Sequence, residues 1–168
     1  MKLQQFKELI EEAGLVADII PAEETKSTDV LLVRVGSVDH TEENPDEREW
    51  QLEISIVPMF GEELENNSLV QFFSCLHPEV PKETANTIYS VLGNFNTQVP
   101  LGAFGYVEAQ NVLYYRHSQL VHKEDDFKDT LSELVWLIVF ILTRYSDVPL
   151  AAASGKYDTN AILKEIGL

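Results

Sequence analysis

The sequence predicts an α+β fold, one antiparallel sheet packed by helices in two layers, and three observations carry that expectation. Trp50, Leu52, Ile54 and Ile56 alternate with Glu49, Gln51, Glu53 and Ser55. Successive side chains of a strand point to opposite faces, so this pattern marks a strand with one wet side, in an antiparallel sheet covered on one face. Apolar residues near the start, middle and end of the chain recur instead by threes and fours, the period of helices with a buried face. The strand-like segments come in blocks and do not alternate one by one with helices, which favours α+β over a wound α/β arrangement.

The elements follow in order. Over residues 3–13, Leu3, Phe6, Leu9, Ile10 and Ala13 share one helical face, with lysines and glutamates opposite and Gly14 placed to close the helix. Residues 15–20 and 30–35 are rich in branched apolar side chains and flank a polar hairpin loop, 23–28. The Trp50 strand comes next, and a fourth, over 68–76, follows the turn-like segment 61–67. Pro78 and Pro81 end it and open a second helix, in which Ala85, Ile88, Tyr89, Leu92, Phe95 and Val99 advance by threes and fours as far as Pro100. Residues 101–107 and 112–118 form a second hairpin, with Gly102 and Gly105 leaving room where something packs closely. Asp125 or Asp126 caps a long third helix carrying Phe127, Leu131, Leu134, Ile138, Ile141 and Tyr145. Asp147, Val148 and Pro149 stop it, and a short extra helix over 158–166 follows the small-residue run 151–155. The order is helix, three or four strands, helix, two strands, helix, then the short C-terminal helix. With 168 residues and neither repeat nor linker, the chain reads as a single domain, 1–149 as core and 150–168 as a C-terminal extension.

Charge narrows the functional classes. Twelve Lys and Arg against 28 Asp and Glu give a net charge of −16. Nucleic acids and anionic membranes are bound largely through Lys and Arg, so neither is an expected partner. The acid is uneven: residues 1–84 carry 6 basic and 19 acidic side chains, and residues 85–168 carry 6 and 9. Much of it lies in the loop from Asp39 to Glu49. A single cysteine, Cys75, rules out an intrachain disulfide, and the opening residues lack the apolar run of a signal peptide, so a cytoplasmic address is expected. The most apolar stretch, 134–142, is nine residues long, against the roughly 20 that cross a bilayer.

Enzymatic signatures are sparse. The sequence has no Gly-x-Gly-x-x-Gly, Walker lysine loop, Gly-x-Ser-x-Gly or His-Glu-x-x-His. Cys75 and His77 stand two apart on a strand and could face the same way, yet no third metal ligand is nearby. His117 and His122 flank the end of the second hairpin, where they could meet as a pH-sensitive or ligating pair. Asp125, Asp126 and Asp129 fit helix capping better than a cation cluster. The loop from Asp39 to Glu49 has the oxygens for weak calcium binding but lacks the spacing of an EF-hand, and a solvated loop is preferred. No catalytic, metal or cofactor-binding residue is assigned, and no cofactor is expected. The third helix differs, because its apolar circumference exceeds what one sheet face covers. Leu134, Trp136, Leu137, Phe140 and Ile141 are therefore the candidate protein-interaction or dimer surface, with burial in the monomer core as the alternative.

Three short segments carry a family resemblance: Val91-Leu92-Gly93-Asn94-Phe95-Asn96, Leu101-Gly102-Ala103-Phe104-Gly105-Tyr106 and Val112-Leu113-Tyr114-Tyr115-Arg116. Over residues 85–145 the chain resembles the YbjN-like family of bacterial proteins, labelled sensory transduction regulators. The family pattern is an Asn-bearing helix end, a Gly-and-aromatic strand, and a partner strand ending in an aromatic and an arginine, here Asn96, Phe104 and the Tyr115-Arg116 pair. The resemblance implies a fold like that of type III secretion chaperones, which are small, acidic, cytosolic and usually dimeric. It implies structural jobs for Asn96 and Arg116, capping a helix and pairing across the hairpin, and brings no catalytic residue. The expected function is a non-enzymatic interaction module, chaperone-like or regulatory, that docks a segment of another protein and forms a homodimer in one of its two arrangements. The alternative is a small-molecule-binding or enzymatic domain with a pocket between the sheet and the third helix, using His117, His122 or Tyr115.

Overall fold

A computed structural model of the chain describes residues 2–22, 28–35, 49–58, 65–77, 79–122 and 128–167. The elements are α1 (Leu3–Glu12), β1 (Val16–Ile20), β2 (Val30–Val35), β3 (Trp50–Val57), β4 (Asn67–His77), α2 (Ala85–Phe95), β5 (Ala103–Val107), β6 (Val112–His122), α3 (Lys128–Tyr145), α4 (Asp147–Ala153) and α5 (Thr159–Glu165). The strands form one six-stranded sheet in the order β1-β2-β3-β4-β6-β5, and β1–β2, β2–β3, β3–β4 and β5–β6 pair antiparallel. An α+β fold with one sheet packed by helices is thus what the two periodicities predicted. Residues 39–48 of the acidic loop, the caps Asp125 and Asp126, Phe127, Pro78, and parts of the loops at 23–28 and 61–67 lie outside the described residues.

The chain forms two compact units, Met1–Phe73 with His117–Val139, and Ser74–Arg116 with Phe140–Leu168. In the first, α1 lies on β1 and β2 and buries Phe6 and Ile10, which are one helical turn apart. Its close is sharp: Gly14 adopts φ +85°, and the N–H groups of Gly14 and Leu15 donate to the carbonyls of Glu11 and Ile10. Leu31 stands opposite Ile54 and Val33 opposite Leu52, and all four are fully buried, so the alternation seen in sequence becomes a continuous apolar sheet face.

In the second unit α2, α4 and α5 pack on one another and α2 also meets β5. Two expectations are corrected here. The second helix ends at Phe95 and not near Val99: Asn96 still donates its N–H to the Leu92 carbonyl, but Thr97 and Gln98 bond back only three residues, to Asn94 and Phe95, in tightening turns. Pro149 does stop α3, as expected, but the small-residue run that follows is itself helical and not a plain connection. Pro149 has no N–H for the carbonyl of Tyr145 and its ring crowds that group, so the helix breaks at Ser146. Proline is nevertheless tolerated in a first turn, and α4 starts at Asp147, bent 47° from α3. Within the C-terminal segment, Ala152, Ala153 and Ile162 are buried in this unit. Asp158 caps α5 by accepting the N–H of Ala161 at 2.8 Å. The second hairpin is also longer than expected, because β6 continues to His122.

Candidate interaction surface

The motif residues of the second unit are occupied with structure. Asn96 Nδ2 donates to the Phe104 carbonyl at 2.9 Å, and the Phe104 N–H donates to Asn96 Oδ1 at 2.9 Å. Since β5 is an end strand of the sheet, this side chain satisfies both outward backbone groups of one residue, Phe104, and blocks further strand pairing there. Phe104 packs edge-on against Tyr115, directly opposite it on β6, with ring centres 5.4 Å apart, and lies 5.9 Å from Phe95. Arg116 stands opposite Ala103 with its side chain exposed. Gly105 sits beneath the Tyr114 ring, the cross-strand cover that an aromatic residue gives a glycine.

Tyr115 is fully buried and its phenol donates to the Leu101 carbonyl at 2.9 Å. Burial raises its pKa above the ordinary tyrosine value. A raised pKa in the folded state means that this contribution is complete below the unfolded value of about 10 and is lost as pH rises past it, because the unfolded chain ionises first. Tyr115→Phe is expected to cost about 1 kcal/mol at neutral pH through the lost hydrogen bond. The gap between variant and parent should close by about pH 11. Urea denaturation at the two pH values checks this, and parallel pH profiles would count against a buried phenol.

The long helix α3 resolves the five candidate surface residues into two sets. Leu134 and Ile141 are core, at 7% and 0% exposure, and are corrected from surface to interior. They share the inward face with Leu131, Val135, Ile138, Val139 and Leu142, all buried. Trp136, Leu137 and Phe140 remain outside, at 40%, 41% and 55% exposure. Their spacing of three and four places them in one stripe, continued by the exposed Glu133 before them and by Thr143 and Arg144 after them. Such a stripe on a surface helix is normally polar along its whole length. Sequence reasoning did not single out Glu133 and Arg144, although the 3–4 spacing that links them to Trp136 and Phe140 is visible in it.

The two candidate histidines of the second hairpin do not converge, whereas Cys75 and His77, two apart on β4, do face the same side. His117 and His122 lie on one strand, so their separation of five residues puts them on opposite faces and about 17 Å apart. His117 instead stacks on Phe72, ring centres 6.0 Å apart. Cys75 is exposed, on the face of β4 opposite the buried Ser68, Val70, Phe72 and Ser74. His77 Nδ1 accepts the N–H of Glu79 at 3.3 Å. Among the described residues no three His, Cys, Asp or Glu gather as metal ligands, and no single helix is long and apolar enough to cross a membrane. A cavity of about 410 Å³ in the first unit is lined by Lys2, Leu3, Gln4, Ile19, Thr28, Asp29 and Ile56. None of His117, His122 and Tyr115 lines it. In comparison with known proteins, no family model matches the chain and no curated protein matches it.

Proposed function

We propose that the chain is a non-enzymatic protein-interaction module, chaperone-like or regulatory, whose contact surface is the outer stripe of α3. The observation that carries this is the exposure of Trp136, Leu137 and Phe140 side by side on one helix. Aromatic side chains supply much of the burial energy at protein interfaces, and a helix that presents them at i, i+1 and i+4 can seat in an apolar groove or against another helix. The resemblance of residues 85–145 to YbjN-like proteins supports the same class of function. The exposed Cys75 thiol fits a cytoplasmic setting, where thiols stay reduced.

A photo-crosslinking amino acid at position 137, compared with one at the exposed Asn94 on α2, tests the assignment in native lysate. A polypeptide adduct is expected at 137, absent at 94, and suppressed by Phe140→Asp on the same stripe. Equal labelling at the two positions, or none at 137, would remove α3 as the contact surface.

A further inference from the structure

The α3 stripe is complementary to itself. Along the helix it runs acid, apolar, apolar, base: Glu133, the pair Trp136 and Leu137, Phe140, then Arg144. The midpoint between Glu133 and Arg144 is also the midpoint between Leu137 and Phe140. A second α3 turned by a two-fold axis through that point lays Phe140 of each copy on Leu137 of the other. The same rotation sets Glu133 of each copy beside Arg144 of the other, about 8 Å along the helix on either side of the axis. We infer that the occupant of the stripe is a second copy of this chain, with the two α3 helices antiparallel. This rests on α3 being the contact surface.

Charge separates this occupant from a basic segment of another protein. At −16 the chain repels its own kind at a distance. From Thr130 to Tyr145, however, α3 carries one acid and one base, Glu133 and Arg144. A basic segment finds no excess acid on this helix, whereas two acidic copies meet least repulsion where their surfaces are locally neutral. A contact that uses the same patch on both copies closes as a dimer and leaves nothing open for growth. Three large apolar side chains from each copy make a small interface, below about 1,200 Å² in total. An interface of that size belongs to the weak, reversible class, so the dimer is in equilibrium with the single chain.

Sedimentation equilibrium of the full chain, from micromolar to millimolar concentration and at low and high salt, tests the pairing. The average mass should climb from the 19.0 kDa of one chain towards twice that value. Salt should strengthen the association by screening the like net charges, the opposite of its effect on a basic partner. Glu133→Arg and Arg144→Glu each turn both cross-axis attractions into repulsions, and each should weaken the dimer about tenfold. Mixing the two variants should restore it, because every pair across the axis is then again opposite in sign. Both positions are exposed, so these variants leave the core untouched. A chain at monomer mass throughout, or a dimer that neither swap weakens, overturns the inference. If a lysate adduct at position 137 then has the mass of some other polypeptide, the interaction surface stands and only its occupant is wrong. If no adduct forms either, both fall together.

Discussion

Gly102→Ala is expected to lower stability by about 3 kcal/mol, a large effect for a single methyl group. Two costs combine. Gly102 has φ +68°, where a side chain crowds its own backbone. The new Cβ would also stand 2.7 Å from the Arg116 carbonyl oxygen and against the Tyr115 phenol. The phenol is tied to the Leu101 carbonyl and buried, so it cannot swing aside without breaking that bond. Gly93→Ala is the matching control. Gly93 lies on the exposed side of α2, and a methyl added there would meet nothing within 4 Å, so alanine should be neutral or stabilise by up to about 1 kcal/mol. Urea denaturation followed by far-UV circular dichroism reads both. Equal midpoints for the two variants would mean that the Gly102 turn tolerates a side chain, against the geometry described.

Asn96→Ala should cost about 2 to 3 kcal/mol, the sum of two hydrogen bonds and the exposure of both backbone groups of Phe104. Its second consequence is more specific. With the Asn96 side chain gone, the Phe104 N–H and carbonyl face outward from an end strand with no guard. Unpaired edges template the addition of other strands, so the variant should aggregate on mild heating at temperatures where the parent stays clear. Turbidity together with a dye that reports β-structure measures this. Tyr115→Phe provides the contrast, because it removes a hydrogen bond of similar size without opening the edge. If both variants lose stability but neither aggregates preferentially, Asn96 is a fastener and not an edge guard.

Asn96 also shows how a residue can be legible while its role is not. Its place at a helix end suggested a cap, and its backbone N–H does donate to the Leu92 carbonyl. The work of the side chain lies eight residues further on, across a turn whose path only the folded chain defines. The histidines fail for a related reason. Whether His117 and His122 can meet depends on where β6 ends. The four residues from Gln119 to His122 continue as strand, because strand length is set by pairing with neighbours and not by local pattern alone.

What the sequence determined by itself is the set of elements whose signal is periodic. The Trp50 strand, α1 and its close at Gly14, the two hairpins and the existence of α3 all follow from which residues recur at two or at 3.6, a property of the chain alone. The concentration of acid in the first half is likewise a fact of sequence. Only the tertiary structure decided which way α3 faces. Its apolar residues run nearly all round, so no period distinguishes Leu134 and Ile141, which are buried, from Trp136, Leu137 and Phe140, which are not. The difference arises because burial belongs to a residue together with whatever packs on it. The same holds at Pro149, where local rules required a break after Tyr145 but packing of Ala152 and Ala153 determined that the chain resumes as helix.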